Sequence, residues 1–216
     1  MKKQPEMAPH VELSGFRARF YDQLILMGTL GLYNSLIKKI IADMEIKPED
    51  KILDMGAGTG KNELLMHRYL SNDGHITACE ISTEMKKQFD KKCGRYENII
   101  LTALRIERPL PFRDAFDKVF LSFVIHGFPQ DQRVLVLQNA FTALKPEGRL
   151  FIFDWNEFIL DEAGLLMRLF MNHIECEEAK DFIRRDFTSV LLGTGFRNVE
   201  KRLYAWNTFR LLSAAK

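Results

Sequence analysis

The run Leu53-Asp54-Met55-Gly56-Ala57-Gly58-Thr59-Gly60 puts three glycines behind an acid, where the surrounding pattern reads as a strand passing into a helix. Glycines at such a junction let backbone approach a ligand closely and turn amides toward it at a helix N-terminus. A dinucleotide fingerprint, G-x-G-x-x-G, would need glycine at position 61. The chain has Lys61 there, and its third glycine comes one residue early, at Gly60. Asp54 would also repel a pyrophosphate, whereas it suits a ligand bearing an ammonium group. Glu80 ends the next apolar run, near the offset of about 20 residues at which an acid accepts hydrogen bonds from both ribose hydroxyls. Either half alone is common, as a glycine turn or a solvated strand-end acid. Together, at this spacing, they read as a nucleoside-binding site.

A second group lies downstream. His126, in Val124-Ile125-His126-Gly127-Phe128, follows a long apolar run. Histidine is the obvious general base at neutral pH, but it can equally serve only to shape a pocket, and both readings stand. Asp154, Trp155 and Asn156 close another run. Asp154 either orients substrate or is satisfied by local backbone amides. His173, Glu175 and Cys176 are near neighbours, but their spacing is no metal signature, and no metal is expected. His10, His67 and His75 read as surface residues. Cys79, Cys93 and Cys176 are isolated and odd in number, which gives no disulfide framework and suits a reducing, cytoplasmic setting.

The elements that must position these residues follow from periodicity. A helical pattern covers about Leu13–Met44, interrupted near Gly28–Gly31. Its second half places Leu32, Leu36, Ile40 and Ile41 on one face and Lys38 and Lys39 outside it. Short strands follow at KILDM, HITACE, NIILT, FDKVFLSFV and RLFIFDW. Between them come helices over Asn62–Leu70, Ser82–Lys92 (capped by Ser82 or Thr83) and Gln130–Leu144, with a turn at Lys145–Gly148. A helical region spans about Phe158–Leu192, and FRNVEKRLYAW with NTFRLLSAAK closes the chain. Strands alternating with helices imply crossover units and an α/β, doubly wound, mostly parallel sheet. Ligands then bind at the carboxyl ends of the strands, which is where both groups fall. The expected organisation is a single domain, 1–216. It has an N-terminal helical cap at 1–47, a ligand-binding core at 48–155, a helical lid or insertion at 156–192 and C-terminal strands at 193–216.

The stretch LDMGAGTG … ACEIS … LPF … FDKVFLSFVIHGF … ALKPEGRLFIFDW resembles the class I S-adenosylmethionine (SAM)-dependent methyltransferases, particularly their small-molecule branch. That resemblance covers about Lys51–Trp155 and implies a seven-stranded Rossmann-like sheet with SAM as cofactor. It assigns Asp54, Gly56, Ala57 and Gly58 to the methionine moiety and Gly60 to the shape of the turn. Glu80 would hold the ribose and Ile81 would pack on the adenine, while Ser122 and Phe123 would supply backbone contacts to the methionyl group. FRARFYD resembles the N-terminal cap of this branch, where Tyr21 would reach the cofactor carboxylate. The Asp that usually follows the third strand is missing. The segment Thr102–Pro109 is longer than the family's, leaving Leu104 or local backbone to face the adenine. Glu147 replaces the commoner glycine of a surface turn. His126 lies where relatives often carry histidines above the reacting centre.

The function implied is methyl transfer from SAM to a small, apolar or lipid-like acceptor. The N-terminal YD element and the apolar helical stretch resemble the ubiquinone/menaquinone C-methyltransferases and bacterial phospholipid N-methyltransferases. Leu165–Met171 carries apolar residues on more than one helical face. That leaves open a lid over substrate, a dimer contact, a membrane-touching element or plain core packing. The contrasting reading is a SAM-binding or scaffold protein without catalysis. Action on RNA or protein is the other alternative. The net charge is only +2, so nothing electrostatic makes nucleic acid an obligatory partner. No [DN]-P-P-[YF] motif stands at Ser122-Phe123-Val124-Ile125, where amino-group methyltransferases of bases and glutamine carry it. No run reaches the roughly 18 apolar residues of a membrane span, though peripheral contact stays open, as does monomer or homodimer. The 17 phenylalanines imply a dense core, a greasy pocket or both.

Overall fold

The structure, a computed structural model, describes residues 33–216. Tyr21 and its FRARFYD segment lie outside the described residues. The first described element, α1 (Tyr33–Asp43), buries Ile37, Ile40 and Ile41 and leaves Lys38 and Lys39 exposed, as its apolar spacing requires.

Seven strands form one sheet: β1 (Lys51–Met55), β2 (His75–Cys79), β3 (Ile99–Thr102), β4 (Phe116–Ser122), β5 (Leu144–Trp155), β6 (Arg197–Tyr204) and β7 (Phe209–Ala215). Their order is β3-β2-β1-β4-β5-β7-β6. Neighbours from β3 through β5 run parallel, and β7 is antiparallel to both β5 and β6. The chain steps outward from β1 to β3 and then returns past β1 to β4. This puts the switch point, and the crevice it opens, between the carboxyl ends of β1 and β4. The helices are α2 (Lys61–Met66), α3 (Thr83–Cys93), α4 (Gln130–Ala143), α5 (Leu165–His173), α6 (Glu177–Phe182) and α7 (Phe187–Gly193). Ser82 rather than Thr83 caps α3, its Oγ accepting from the Met85 amide at 3.4 Å.

Three local expectations change. β4 stops at Ser122 because Phe123 takes φ +53°, a left-handed conformation that ends an extended run. The turn at 145–148 lies inside β5. It forms the irregularity where pairing jumps from Phe116–Leu144 to Lys118–Arg149. His67 and His75 are partly buried, and the His67 Nε2 lies 2.9 Å from the Asn98 Oδ1.

The structure places the phenylalanines first of all in the core. Phe89, Phe120, Phe128, Phe153, Phe182, Phe187 and Phe196 fill the core, while Phe123 and Phe209 join Trp155 at the rim of the sheet.

Candidate active site

The glycine turn is built by β1 and β2 together. The amides of Gly56 and Ala57 both donate to the Cys79 carbonyl at 3.0 Å, and Gly60 N–H donates to Ala57 at 3.3 Å. The Gly58 amide donates to Glu80 Oε2 at 2.9 Å. The loop's amides at these positions are therefore spent inside the protein, not aimed outward as a phosphate cradle would need. A Cβ at Gly56, where φ is +99°, would stand 2.5 Å from Val124 Cγ2. That close approach locks the turn against the segment after β4. Gly58 differs: at φ +59° it has no atom within 4 Å of where a Cβ would stand. A side chain there would enter open space beside Glu80.

Charge around this turn is negative. Asp54 and Glu63 are wholly buried, and apart from each other no group among the described residues reaches their four carboxyl oxygens. Burial pushes the Asp54 acid up to about 7; a hydrogen bond from Glu63 pulls it down and Glu80 pushes it up. Burial, then the Asp54 charge, holds Glu63 well above the usual carboxylate range. Glu80 is partly exposed and accepts from Gly58 through Oε2 and from Ser82 N–H through Oε1 at 2.7 Å. Each carboxylate oxygen keeps a second lone pair for further donors. An orphaned buried acid, a second acid with spare acceptor sites and an open glycine position fit a ligand that is cationic at one end and hydroxyl-rich at the other. SAM meets that description. Ile81 and Leu104 are half-buried nearby in sequence, with Leu104 packed on the core. Ser122 is buried, its hydroxyl without a partner.

The second cluster sits at the ends of β4 and β5. His126 occupies a short 3-10 turn, Ile125–Gly127. Its Nδ1 lies 2.7 Å from Asp154 Oδ1 and its Nε2 is 3.8 Å from Glu175 Oε2. Burial lowers the imidazole's affinity for a proton. The charge and hydrogen bond of Asp154, with Glu175 behind them, outweigh this and leave its pKa raised. Asp154 is wholly buried, and unlike Asp54 its carboxylate is taken up by partners within the protein. It accepts from the backbone amides of Trp155 at 2.8 Å and His126 at 3.3 Å and orients the imidazole. Glu175, just past α5, also accepts from Trp155 Nε1 at 3.2 Å.

Arginines that the sequence did not single out brace this cluster. Arg133 of α4 is fully buried. It donates to the carbonyls of Ile125, His126 and Glu178 and pairs with Asp181 at 2.7 Å. Arg210 stands beside Asp154 in the β5–β7 register and is bound to Glu157. Their one sequence signal is the cost of burying a guanidinium, visible only once the packing is known.

An aromatic wall adjoins the second cluster. Phe123 meets Phe153, Trp155, Phe209 and His126 edge-on, with centroids 5.0–6.3 Å apart. Phe170 of α5 stacks on Trp155 at 5.7 Å. On the same helix Leu166 is 83% exposed and Leu165 69%, while Met171 faces inward. Among the described residues no group of three or more His, Cys, Asp or Glu is placed to hold a metal. None of their helices is long and apolar enough to cross a membrane.

Comparison with known proteins agrees with this geometry. The methyltransferase-domain family matches residues 52–148. The chain is 28% identical over 141 residues to the ubiquinone/menaquinone biosynthesis C-methyltransferase UbiE of Wigglesworthia glossinidia brevipalpis, covering 63% of this chain and 55% of that protein. It is 28% identical over 159 residues to the demethylmenaquinone methyltransferase of Lactobacillus johnsonii, covering 72% and 64%. The chain thus spans less than two thirds of the length of these curated relatives. Its fold matches that of a SAM-dependent methyltransferase from Aquifex aeolicus with a TM-score of 0.63, at 18% identity, over 82% of this chain and 88% of that one. The methyltransferase-domain match, the relatives and the sheet order together support a class I SAM-dependent methyltransferase, and within that class this chain resembles the UbiE-like proteins.

Proposed function

We propose that the protein transfers a methyl group from SAM to a small apolar acceptor, with His126 as general base. The observation that carries this reading is the His126–Asp154 pair set in an aromatic wall, across the switch point from the glycine turn. Bound SAM supplies an electrophilic methyl group on a sulfonium. Asp54 would hold its ammonium and Glu80 its ribose, Gly56, Ala57, Gly58 and Gly60 would line its path, and Ile81, Leu104, Ser122 and Phe123 would flank it. Tyr21 would reach its carboxylate.

The protein's part in the reaction is alignment, water exclusion and proton removal. Asp154 fixes the imidazole with Nδ1–H donated to Oδ1, which leaves the Nε2 lone pair for the acceptor. A ring hydroxyl that gives its proton to Nε2 becomes a phenolate, whose electrons would form the new bond to methyl at oxygen or at an adjacent ring carbon, the S–CH3 pair returning to sulfur; at carbon, the ring proton displaced there is then lost, which returns the aromatic ring and its hydroxyl. The curated relatives named as quinone C-methyltransferases favour the ring-carbon outcome. Residues 1–216 would act as one domain, with 156–192 a lid over the acceptor mouth. The three unpaired cysteines fit a cytoplasmic setting.

The test is incubation with labelled SAM and a panel of quinols, phenols, phospholipids and amines. Label in an aromatic ring acceptor is the expected result. Turnover of amines alone would refute the base-assisted reading, and tight SAM binding with no turnover of any acceptor would point to a protein that binds without catalysing. Tighter calorimetric binding of NAD than of SAM or S-adenosylhomocysteine would overturn the cofactor site itself.

A further inference from the structure

Asp54 is the last residue but one of β1, and Glu63 lies in the first turn of α2, so the glycine turn brings the two acids together beneath itself. Both are wholly inaccessible. Among the described residues no donor reaches any of their four oxygens, and each acid acts directly on the protonation of the other. Two buried carboxylates side by side do not both stay ionised; one keeps its proton, and a protonated carboxyl can donate to its neighbour. Buried polar atoms left without partners are few in folded proteins, and each calls for a reason.

The surroundings decide which acid keeps the proton. From β2, Glu80 adds negative charge to both acids, and the Cys79 thiol is pushed up to about 11 by its own burial and so stays neutral. From α3, Cys93 is likewise pushed up to about 12, while Lys92 is bonded to the Thr59 hydroxyl at 2.6 Å. α1, which packs on α2, turns apolar Ile37, Ile40, Ile41 and Met44 inward. Among the described residues no cation bonds or ion-pairs with either acid. The contact between the two lowers the pKa of Asp54 and raises that of Glu63, so Glu63 is the proton's keeper.

We propose that Glu63 is a positioning residue for the cofactor: as a neutral acid it donates a hydrogen bond to Asp54, keeping that carboxylate ionised and aimed at the ammonium group of SAM. This rests on the reading of Asp54 as the ammonium's partner. Glu63 does not touch the cofactor and acts only through Asp54. It corresponds to none of the glycine-turn residues that the resemblance assigned. Its role follows from charge. A buried carboxylate with no donor would keep its own proton and offer the cation a neutral group. With Glu63 donating, Asp54 ionises near neutral pH, and the cofactor's cation completes the site.

The experiment is calorimetric binding of S-adenosylhomocysteine between pH 6.0 and 8.5 by the wild type, Glu63→Gln, Glu63→Leu and Asp54→Ala. Gln keeps a neutral donor and should bind within about threefold of wild type. Leu removes the donor, raising the Asp54 pKa. It should bind about tenfold or more weakly at pH 6.5, since one pKa unit is a factor of ten in the ionised fraction. The gap between Leu and Gln should close toward pH 8.5. Taking their ratio at each pH cancels titration of the ligand's own amine. A gap that is flat with pH means lost packing and overturns the proposal; so does a Leu variant that binds like Gln.

If Glu63→Leu does not fold, the wild type alone decides. A group titrating at about 7 is about nine-tenths protonated at pH 6. Binding at pH 6 should therefore release close to one proton, measured from the heats in two buffers of different ionisation enthalpy, and no release overturns the proposal. Asp54→Ala separates the two layers. Wild-type affinity in that variant removes the ammonium reading and the Glu63 role with it, whereas weakened binding there with an unaffected Glu63→Leu removes the Glu63 role alone.

Discussion

Replacing Asp154 with Asn tests the base assignment through a signature that packing damage cannot imitate. The 2.7 Å contact between His126 Nδ1 and Asp154 Oδ1 is a charge-assisted bond between largely buried groups, for which about 1.5–3 kcal/mol is typical. That bond, with the Asp154 charge behind it, holds the imidazole above where it would otherwise titrate. Burial is the largest influence on His126 and drives its pKa down; Arg133 pushes the same way, and Asp154 and Glu175 oppose them. Without the Asp154 charge, Glu175 opposes burial alone and the pKa falls. A general base works only when neutral, so activity rises with pH through the His126 pKa. The acid limb of the pH–rate profile should therefore move to lower pH in Asp154→Asn, while the plateau rate drops because the base is weaker and less well held.

An NMR titration of the His126 ring should show the same displacement without any acceptor. The variant must also alter stability in a fixed direction. A pKa raised in the folded state contributes stability that is full below the unfolded value of about 6.5 and is lost as pH rises through the folded value. Asp154→Asn should thus lose more stability at pH 5.5 than at pH 8. An acid limb and an imidazole titration that both stay put would refute the pairing. A shifted titration with unchanged kcat would leave His126 as a wall of the pocket.

Glu80→Ala should weaken S-adenosylhomocysteine binding by about tenfold or more, from the loss of charged hydrogen bonds. It should also lower Tm, because the Gly58 and Ser82 amides lose their acceptor; unchanged affinity in a folded variant would make Glu80 a loop brace only. Gly58→Val should abolish cofactor binding by filling the open space beside Glu80, and holding φ +59° should cost about 1–3 kcal/mol of stability. Normal binding by that variant would place the ligand elsewhere. Leu166→Ser with Phe170→Ser should raise the acceptor's KM several-fold with little change in cofactor affinity, because Leu166 is exposed and Phe170 rests on Trp155. An equal loss of both would mean that α5 supports the whole site and does not cover the acceptor.

The sheet was legible because each strand is a short apolar run followed by turn chemistry, and the glycine turn because three glycines and two acids fall at a fixed spacing. Asp54, Glu80 and His126 could be found that way, since each ends or follows a strand. Glu63, Glu175, Arg133 and Arg210 could not. Glu63 sits at an ordinary first-turn position of a helix, where an acid is expected for the helix dipole, and nothing in KNELLM says that it is buried. Glu175 belongs to a segment whose path over the site depends on α5 docking through Phe170 and Met171. Arg133 and Arg210 read as surface charges until α6 and α7 close over them. The stop of β4 was missed because Phe123 carries no sequence mark of its left-handed backbone.

That backbone turn explains how one sheet edge serves two chemistries. On the β1–β2 side lie Asp54, Glu63 and Glu80, an excess of negative charge that waits for a cation. On the β4–β5 side lie His126, Asp154 and Glu175, with Arg133 and Arg210 behind them, where charge is nearly balanced and a proton can move. If the two sets mixed, the acids would protonate or pair with the arginines, and neither cation binding nor base strength would survive. Val124 pressed against Gly56 and the Phe123 ring turned among Phe153, Trp155 and Phe209 form an apolar partition between them. Loss of that partition, as in Phe123→Gly, should therefore disturb the His126 titration even though no charged residue has changed, and an imidazole pKa untouched by it would show that the two halves are insulated by distance alone.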